Sequence, residues 1–313
     1  MKLAFVYNPR NPYLCGMRYN ANWERFFLRA LPSVADVTMY ASDDELDVAP
    51  HAGEHDAWVF FGKTEWELPP RLRGVDRIRA PKVCCTGDAH RRDKMSVAYG
   101  ATERECCEKW GFDAYFFQHS PSYFHRFYPA DWTYWWVPFG VDERLYARFT
   151  PFARRRKDKV LLTGALGQEF YPLRTALAGR PFVHHEPPGS YQGFDCYVPG
   201  RYARDDYPKL LNQWAASVAS GYSVLCKHFE VPAAHCLTFL HVEDGGDLLG
   251  FVDGVSAVLV TRESAEERIG EFLSEPGDPI WEEIARNGRA HVLANFTHRR
   301  MAERLVARIR SLL

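Results

Sequence analysis

Short apolar runs of strand length recur along this chain, and almost every one is closed by a glycine or a polar residue. KLAFVY at 2–7 runs into the Asn8–Gly16 loop, AWVFF at 57–61 into Gly62, and VCCT at 83–86 into Gly87 and Asp88. Residues 113–117 end at Gln118 and His119, residues 160–163 at Gly164, and residues 236–240 at a glycine-rich acidic loop reaching Gly254. Further strands are expected at 35–39, 135–137, 224–225 and 257–260. Helical spacing fills the gaps. In 19–31 it turns Trp23, Phe26, Phe27 and Leu31 to one side; in 207–219 it does the same for Leu210, Leu211, Trp214 and Val218. Helices are also expected at 102–110, from Tyr171 onward and through 266–313. Such β-then-α alternation predicts parallel, doubly wound sheets, and two successive runs of it predict two α/β halves.

Length agrees, since 313 residues exceed one average domain and suggest about two. The halves are divided at Ala153–Lys159 (ARRRKDK), read as a solvated charge run that gives domains at 1–152 and from 153 onward. A net charge of −1 removes any global electrostatic argument for attraction to nucleic acid or membrane and leaves a local basic patch open. Eight cysteines include the adjacent pairs Cys84–Cys85 and Cys106–Cys107 but no CxxC, so reduced, mostly buried thiols are expected and a structural zinc site is not. The five-residue apolar run near the start is too short for a signal peptide, and no run of 18 apolar residues occurs, so a cytoplasmic protein without membrane insertion is the expectation.

Parallel α/β sheets bind ligands at the carboxyl ends of their strands, so the chemistry is sought there. Gly221–Gly254 is the richest stretch. Lys227 and Glu230 are three residues apart, which places them on one face of a helical turn just before a buried strand. A surface ion pair would satisfy the same spacing. With Gly164 and Arg174 they form a set suited to a diphosphate and to the hydroxyls of a sugar or ribose. Tyr171-Pro172 opens the helix that carries Arg174. Only Gly164 and Gly167 stand in that loop, so the GxGxxG dinucleotide fingerprint is absent and a nucleotide-dependent epimerase is disfavoured.

In the first half, Asp88 and His90 are acid/base candidates, His119 is a third, and Arg91 and Arg92 follow them. Asp88 would equally cap a helix, with His90 packed at the surface. Lys63 and Glu65 mark another strand end. His184, His185 and Glu186 have ligand chemistry but no third partner at metal spacing, and a solvated loop is expected there. The aromatic block Tyr123–Trp136 could stack sugars or bases, although core packing explains it as well.

The succession DAH, GFDAYFFQHS, WWVPFGVDERLY, KVLLTGALGQEFYPLR, KHFEVPAAHCLTFL and LGFVDG, then IARNGRAHVLANFTHRRMAERL, resembles the CgeB-like glycosyltransferases, group 1 enzymes of GT-B architecture. The likeness spans roughly residues 80–310. It implies two Rossmann-like doubly wound domains facing across a cleft. The first (1–152) would bind the acceptor, the second (153–295) the nucleotide sugar, and the terminal helix (296–313) would pack back on the first. It implies a hexosyl- or pentosyltransferase using a nucleotide-diphosphate sugar, retaining, with neither metal nor other cofactor. Glu230 matches the second glutamate of a Glu-x7-Glu motif, near the donor ribose, and Lys227 the family's lysine. Tyr222 stands where the first glutamate belongs. If configuration is retained, Asp88, His90 and His119 become sugar or acceptor ligands. The acceptor is open between glycan, protein, metabolite and modified DNA base, as is the oligomeric state. The alternative from another class is a non-catalytic spore-coat or surface-type protein on the same fold.

Overall fold

The computed structural model describes the chain except residues 12, 16–21, 63–67, 92, 94, 97–98, 188, 192–196, 200–201 and 203. Lys63, Glu65 and Arg92 therefore lie outside the described residues. The described residues divide into two units. One comprises Met1–Gly16, Trp23–Val137 and Arg299–Leu313; the other comprises Pro138–His298 with Asn22.

In the first unit, strands β1 (Lys2–Tyr7), β2 (Asp36–Ala41), β3 (Ala57–Phe61), β4 (Lys82–Cys85), β5 (Ala114–Phe117) and β6 (Tyr134–Trp136) form an all-parallel sheet in the order β6-β5-β4-β3-β1-β2. All five residues of β3 are buried, as a parallel strand covered on both faces requires. Trp23, Phe26, Phe27 and Leu31 do enter the core, but the helix there is π-wound over Phe26–Ala30. The wider turn accompanies two adjacent phenylalanines that are both fully buried. Helix α1 (Glu103–Trp110) begins at a Thr102/Glu105 capping box.

The second unit holds a five-stranded parallel sheet of β7 (Val160–Thr163), β8 (Val183–Glu186), β9 (Ala216–Ala219), β10 (Leu237–His241) and β11 (Val258–Val260), ordered β8-β7-β9-β10-β11. Around it lie α2 (Pro172–Leu177), α3 (Tyr207–Leu211), α4 (Lys227–Ala233), α5 (Ala265–Ser274) and α6 (Pro279–Asn295). The last helix, α7 (His298–Arg310), buries Met301, Ala302, Leu305, Val306 and Ile309, and from Arg299 onward groups with the first unit. None of the described helices is long and apolar enough to cross a membrane.

Four local readings are corrected. The helix expected over 207–219 stops at Leu211, and Ala216–Ala219 is the central strand β9. A fully buried run of small and apolar residues satisfies helical and strand patterns alike, and Asn212-Gln213 is the break. No strand forms at 224–225; Val224 and Leu225 belong to the loop before α4. His184 and His185 are in edge strand β8, not a solvated loop: His184 stacks on Trp214 at 4.7 Å, and His185 Nε2 lies 2.8 Å from the Gly164 carbonyl. The charge run at 153–159 is not wholly solvated either, because Arg155 is buried.

Candidate functional site

In the second unit the chain leaves β7 for one side of the sheet (β8) and returns on the other (β9), so β7 is the switch strand. Ligands of doubly wound sheets settle beyond the carboxyl end of such a strand. The residue there is Gly164. Its φ of +104° excludes most side chains, and a Cβ would lie 2.6 Å from Arg174 Nη1 and 2.8 Å from Lys227 Nζ. Two cations from different helices thus converge on a bare peptide.

Each is held by the local fold. Arg174, in the first turn of α2 behind Pro172, is buried; it donates to the Ala165 carbonyl at 2.9 Å, and its guanidinium lies 3.7 Å over the Tyr171 ring. Lys227 opens α4 and donates to the Thr163 carbonyl at 2.5 Å, with Thr163 Oγ1 at 3.3 Å. Burial, then the neighbouring Arg174, pushes the Lys227 ammonium well below its ordinary value against the opposing pull of Glu230. Two cationic groups this close and this little solvated oppose each other's charge, a cost that an anion placed between them would offset.

Glu230 follows Lys227 by three residues and is 8% exposed, and its Oε1 accepts from Asn22 Nδ2 at 3.3 Å. Tyr222 is half-buried, with its ring 5.8 Å from both Phe170 and Tyr171. Gly164, Tyr171, Arg174 and Lys227 therefore form one cluster in contact, Tyr222 extends it through the Tyr171 ring, and Glu230 adds a carboxylate. Sequence reasoning missed three members. Tyr207 OH is 2.9 Å from Thr163 Oγ1, and burial pushes its phenol far up. The others are Thr163 and His185. The last residue of a strand is itself a signal, so Thr163 was findable; Tyr207 and His185 arrive from neighbouring elements and carry no local mark.

In the first unit Asp88 and His119 follow the paired strands β4 and β5, where Cys85 is in register with Phe116. Asp88 Oδ1 is 3.8 Å from His119 Nε2, whose side chain is 1% exposed. His90 Nδ1 lies 3.0 Å from Tyr123 OH, and the Tyr123 ring meets His119 edge-on at 4.9 Å. The structure thus links all three through Tyr123. They stand away from the switch strand β1, whose following loop is closed by Asn8 and Asn11 side chains accepting from the Arg10 and Tyr13 amides. No group of three or more potential metal ligands occurs among the described residues.

Residues 155–307 match the family model Glyco_trans_1_2, described as glycosyl transferase-like. No curated protein matches the sequence. Among solved structures, sucrose-phosphate synthase from Thermosynechococcus elongatus is similar over 100% of this chain and 99% of that one, at 14% identity and a TM-score of 0.63. Anabaena Alr3699/HepE in complex with UDP-glucose covers 99% and 100%, at 14% identity and 0.59. An alpha-glucosyltransferase in complex with UDP and a DNA 13-mer covers 99% and 99%, at 8% identity and 0.60. The fold is GT-B, with two Rossmann-like units. The family match, together with the fold, supports a glycosyltransferase as the enzyme class.

Proposed function

We propose that this chain is a CgeB-like glycosyltransferase that takes its sugar from a nucleotide-diphosphate donor, a UDP-sugar foremost, and acts in the cytoplasm. The convergence of Arg174 and Lys227 on Gly164 at the switch strand carries the reading. In it the bare Gly164 peptide admits the diphosphate, and the two cations neutralise it in the ground state and as it leaves. That assigns to side chains the charge stabilisation a metal would otherwise supply. Glu230, with both carboxylate oxygens able to accept, takes the ribose hydroxyls. Tyr171 and Tyr222 wall the same cradle with rings. UDP in two of the neighbours' names favours uridine as the base.

Asp88, His90 and His119 bind the acceptor in the first unit, and the sugar is transferred with retention. The DNA in one neighbour's name keeps a modified base among the acceptors, beside glycan, protein and metabolite. The cytoplasmic reading is supported by the seven described cysteines, all free.

The test is calorimetry with UDP, GDP, TDP and ADP on the wild type and Glu230→Ala. One nucleotide should bind the wild type and bind the variant about tenfold more weakly; binding of none overturns the proposal. Tyr222, a ring in the place of a carboxylate, favours the second reading, a fold that has lost turnover. Slow hydrolysis of the bound donor without acceptor would exclude that reading.

A further inference from the structure

Outside the cradle, the second unit buries a carboxylate that the reaction above does not use. Asp244 lies just beyond β10, with its side chain 2% exposed. Its Oδ2 accepts from the Gly221 amide at 2.8 Å and from His228 Nε2 at 3.0 Å, with His241 Nδ1 at 3.5 Å. Its Oδ1 accepts from the Gly246 amide at 3.1 Å. Both glycines are packed too tightly for a side chain: a Cβ on Gly221 would lie 2.5 Å from Leu225 Cδ1, and one on Gly246 2.2 Å from the His241 carbonyl oxygen.

A carboxylate out of water is costly, and apolar packing of similar volume is often as stable. The position of these contacts in the chain supplies a reason for keeping it. Gly221 immediately precedes Tyr222, and His228 immediately follows Lys227. Asp244 therefore grips both ends of the segment joining β9 to α4. His228 adds a hold of its own, with Nδ1 3.1 Å from both the amide and the carbonyl of Leu225. Between β9 and α4 the backbone is neither strand nor helix, so no ladder of its own fixes it, although Ser223 and Val224 are buried. A shift of about 1 Å in such a support is enough to misplace a binding group.

We propose that Asp244 is a positioning residue for the donor cradle, fixing through Gly221 and His228 the backbone from which Tyr222, Lys227 and Glu230 project. This rests on the donor reading above. Amide exchange of residues 221–230 and UDP affinity should be measured in the wild type, Asp244→Ala and Asp244→Asn. Asn keeps an oxygen for the Gly221 amide, whereas Ala does not. Exchange in the segment should accelerate about tenfold or more in Asp244→Ala while β10 and α6 stay protected. UDP binding should weaken about tenfold in Asp244→Ala and return to within about threefold of wild type in Asp244→Asn, even though both lose thermal stability. A role in stability alone would make affinity follow the melting temperature in both variants, which would overturn the proposal. So would unchanged exchange in Asp244→Ala, or in Asp244→Ser, whose shorter side chain also gives up the Gly221 amide, if the alanine variant does not fold. If the segment loosens as expected but the wild type binds no nucleotide, the fastening stands and the donor assignment is what fails.

Discussion

Lys227 reaches back over the end of β7 to the carbonyl of Thr163, its Nζ 2.5 Å from that oxygen, and shares the approach to Gly164 with Arg174. Burial and the second cation favour the neutral amine, and the carboxylate of Glu230 only partly opposes them. The site therefore has a charge deficit that an arriving diphosphate can fill.

Donor binding should accordingly take up a proton. In the free protein the lysine's value is held well below 10.5, so between the two values the unfolded chain binds more protons and stability without ligand rises with pH. Binding of a diphosphate restores the charged amine, so affinity should fall as pH rises through that window. Calorimetry of UDP in HEPES and in Tris, buffers of different ionisation enthalpy that bring no phosphate to the cradle, reads the uptake directly. Lys227→Met should abolish the uptake and weaken binding by about tenfold. Equal heats in both buffers would contradict the prediction.

Gly164→Ala should damage the cradle with little reach elsewhere. At φ +104° the new residue is strained by about 1–3 kcal/mol, and its methyl would displace both Arg174 Nη1 and Lys227 Nζ. Denaturant unfolding should show that loss of stability, and UDP titration a loss of affinity of about tenfold or more. Gly179, where a Cβ meets nothing within 4 Å, provides the comparison, and its alanine variant should bind UDP as the wild type does.

The sequence made the strand end at Gly164 readable, because a parallel strand closed by glycine is a local pattern, and it made Lys227 and Glu230 readable through their spacing of three, although the strand expected just before Lys227 does not form. It could not tell that Ala216–Ala219 is a strand. Alanine, serine and valine buried on every side show no period, and what decides is the pairing with β7 and β10, a long-range fact. The Asp244 cluster was invisible for the same reason. Its partners come from residues 221, 228, 241 and 246, and only the folded backbone brings Gly221 and Gly246 to one carboxylate.

That cluster predicts how stability depends on pH. Burial pulls His241 down, but Asp244 and Glu243 outweigh it and leave the imidazole above 6.5. Burial pushes Asp244 up, but His228 and His241 outweigh that and leave it below 3.8. A raised histidine stabilises below 6.5 and loses its contribution as pH climbs through its folded value. A lowered aspartate stabilises above 3.8 and loses its contribution as pH falls through its own. Melting temperature should therefore decline on both sides of a weakly acidic plateau. His241→Gln should flatten the alkaline limb. An alkaline limb unchanged in that variant would show that other groups produce it.

Arg155 should matter for stability and not for donor affinity. Its buried guanidinium donates to the carbonyls of Thr150, Ala234 and His235 at 2.8, 2.9 and 3.0 Å, and to Asn212 Oδ1 at 3.1 Å. It thus ties the approach to β7 to the turn after α4, where His235 takes a φ of 60°. Burial pushes the adjacent Cys236 up to about 11, so that group remains a thiol and the arginine has no carboxylate partner among its named contacts. The guanidinium is therefore balanced by peptide dipoles. Arg155→Met fills the volume but strands the buried carbonyls of Ala234 and His235, at about 1–3 kcal/mol for each left unmet, so a loss of about 2 kcal/mol or more is expected in urea unfolding. The folded variant should still bind UDP within about threefold of wild type, because Gly164, Arg174 and Lys227 make none of these contacts. A variant that keeps its stability, or that loses nucleotide binding while folded, would show that this guanidinium acts on the cradle and not on the frame that carries it.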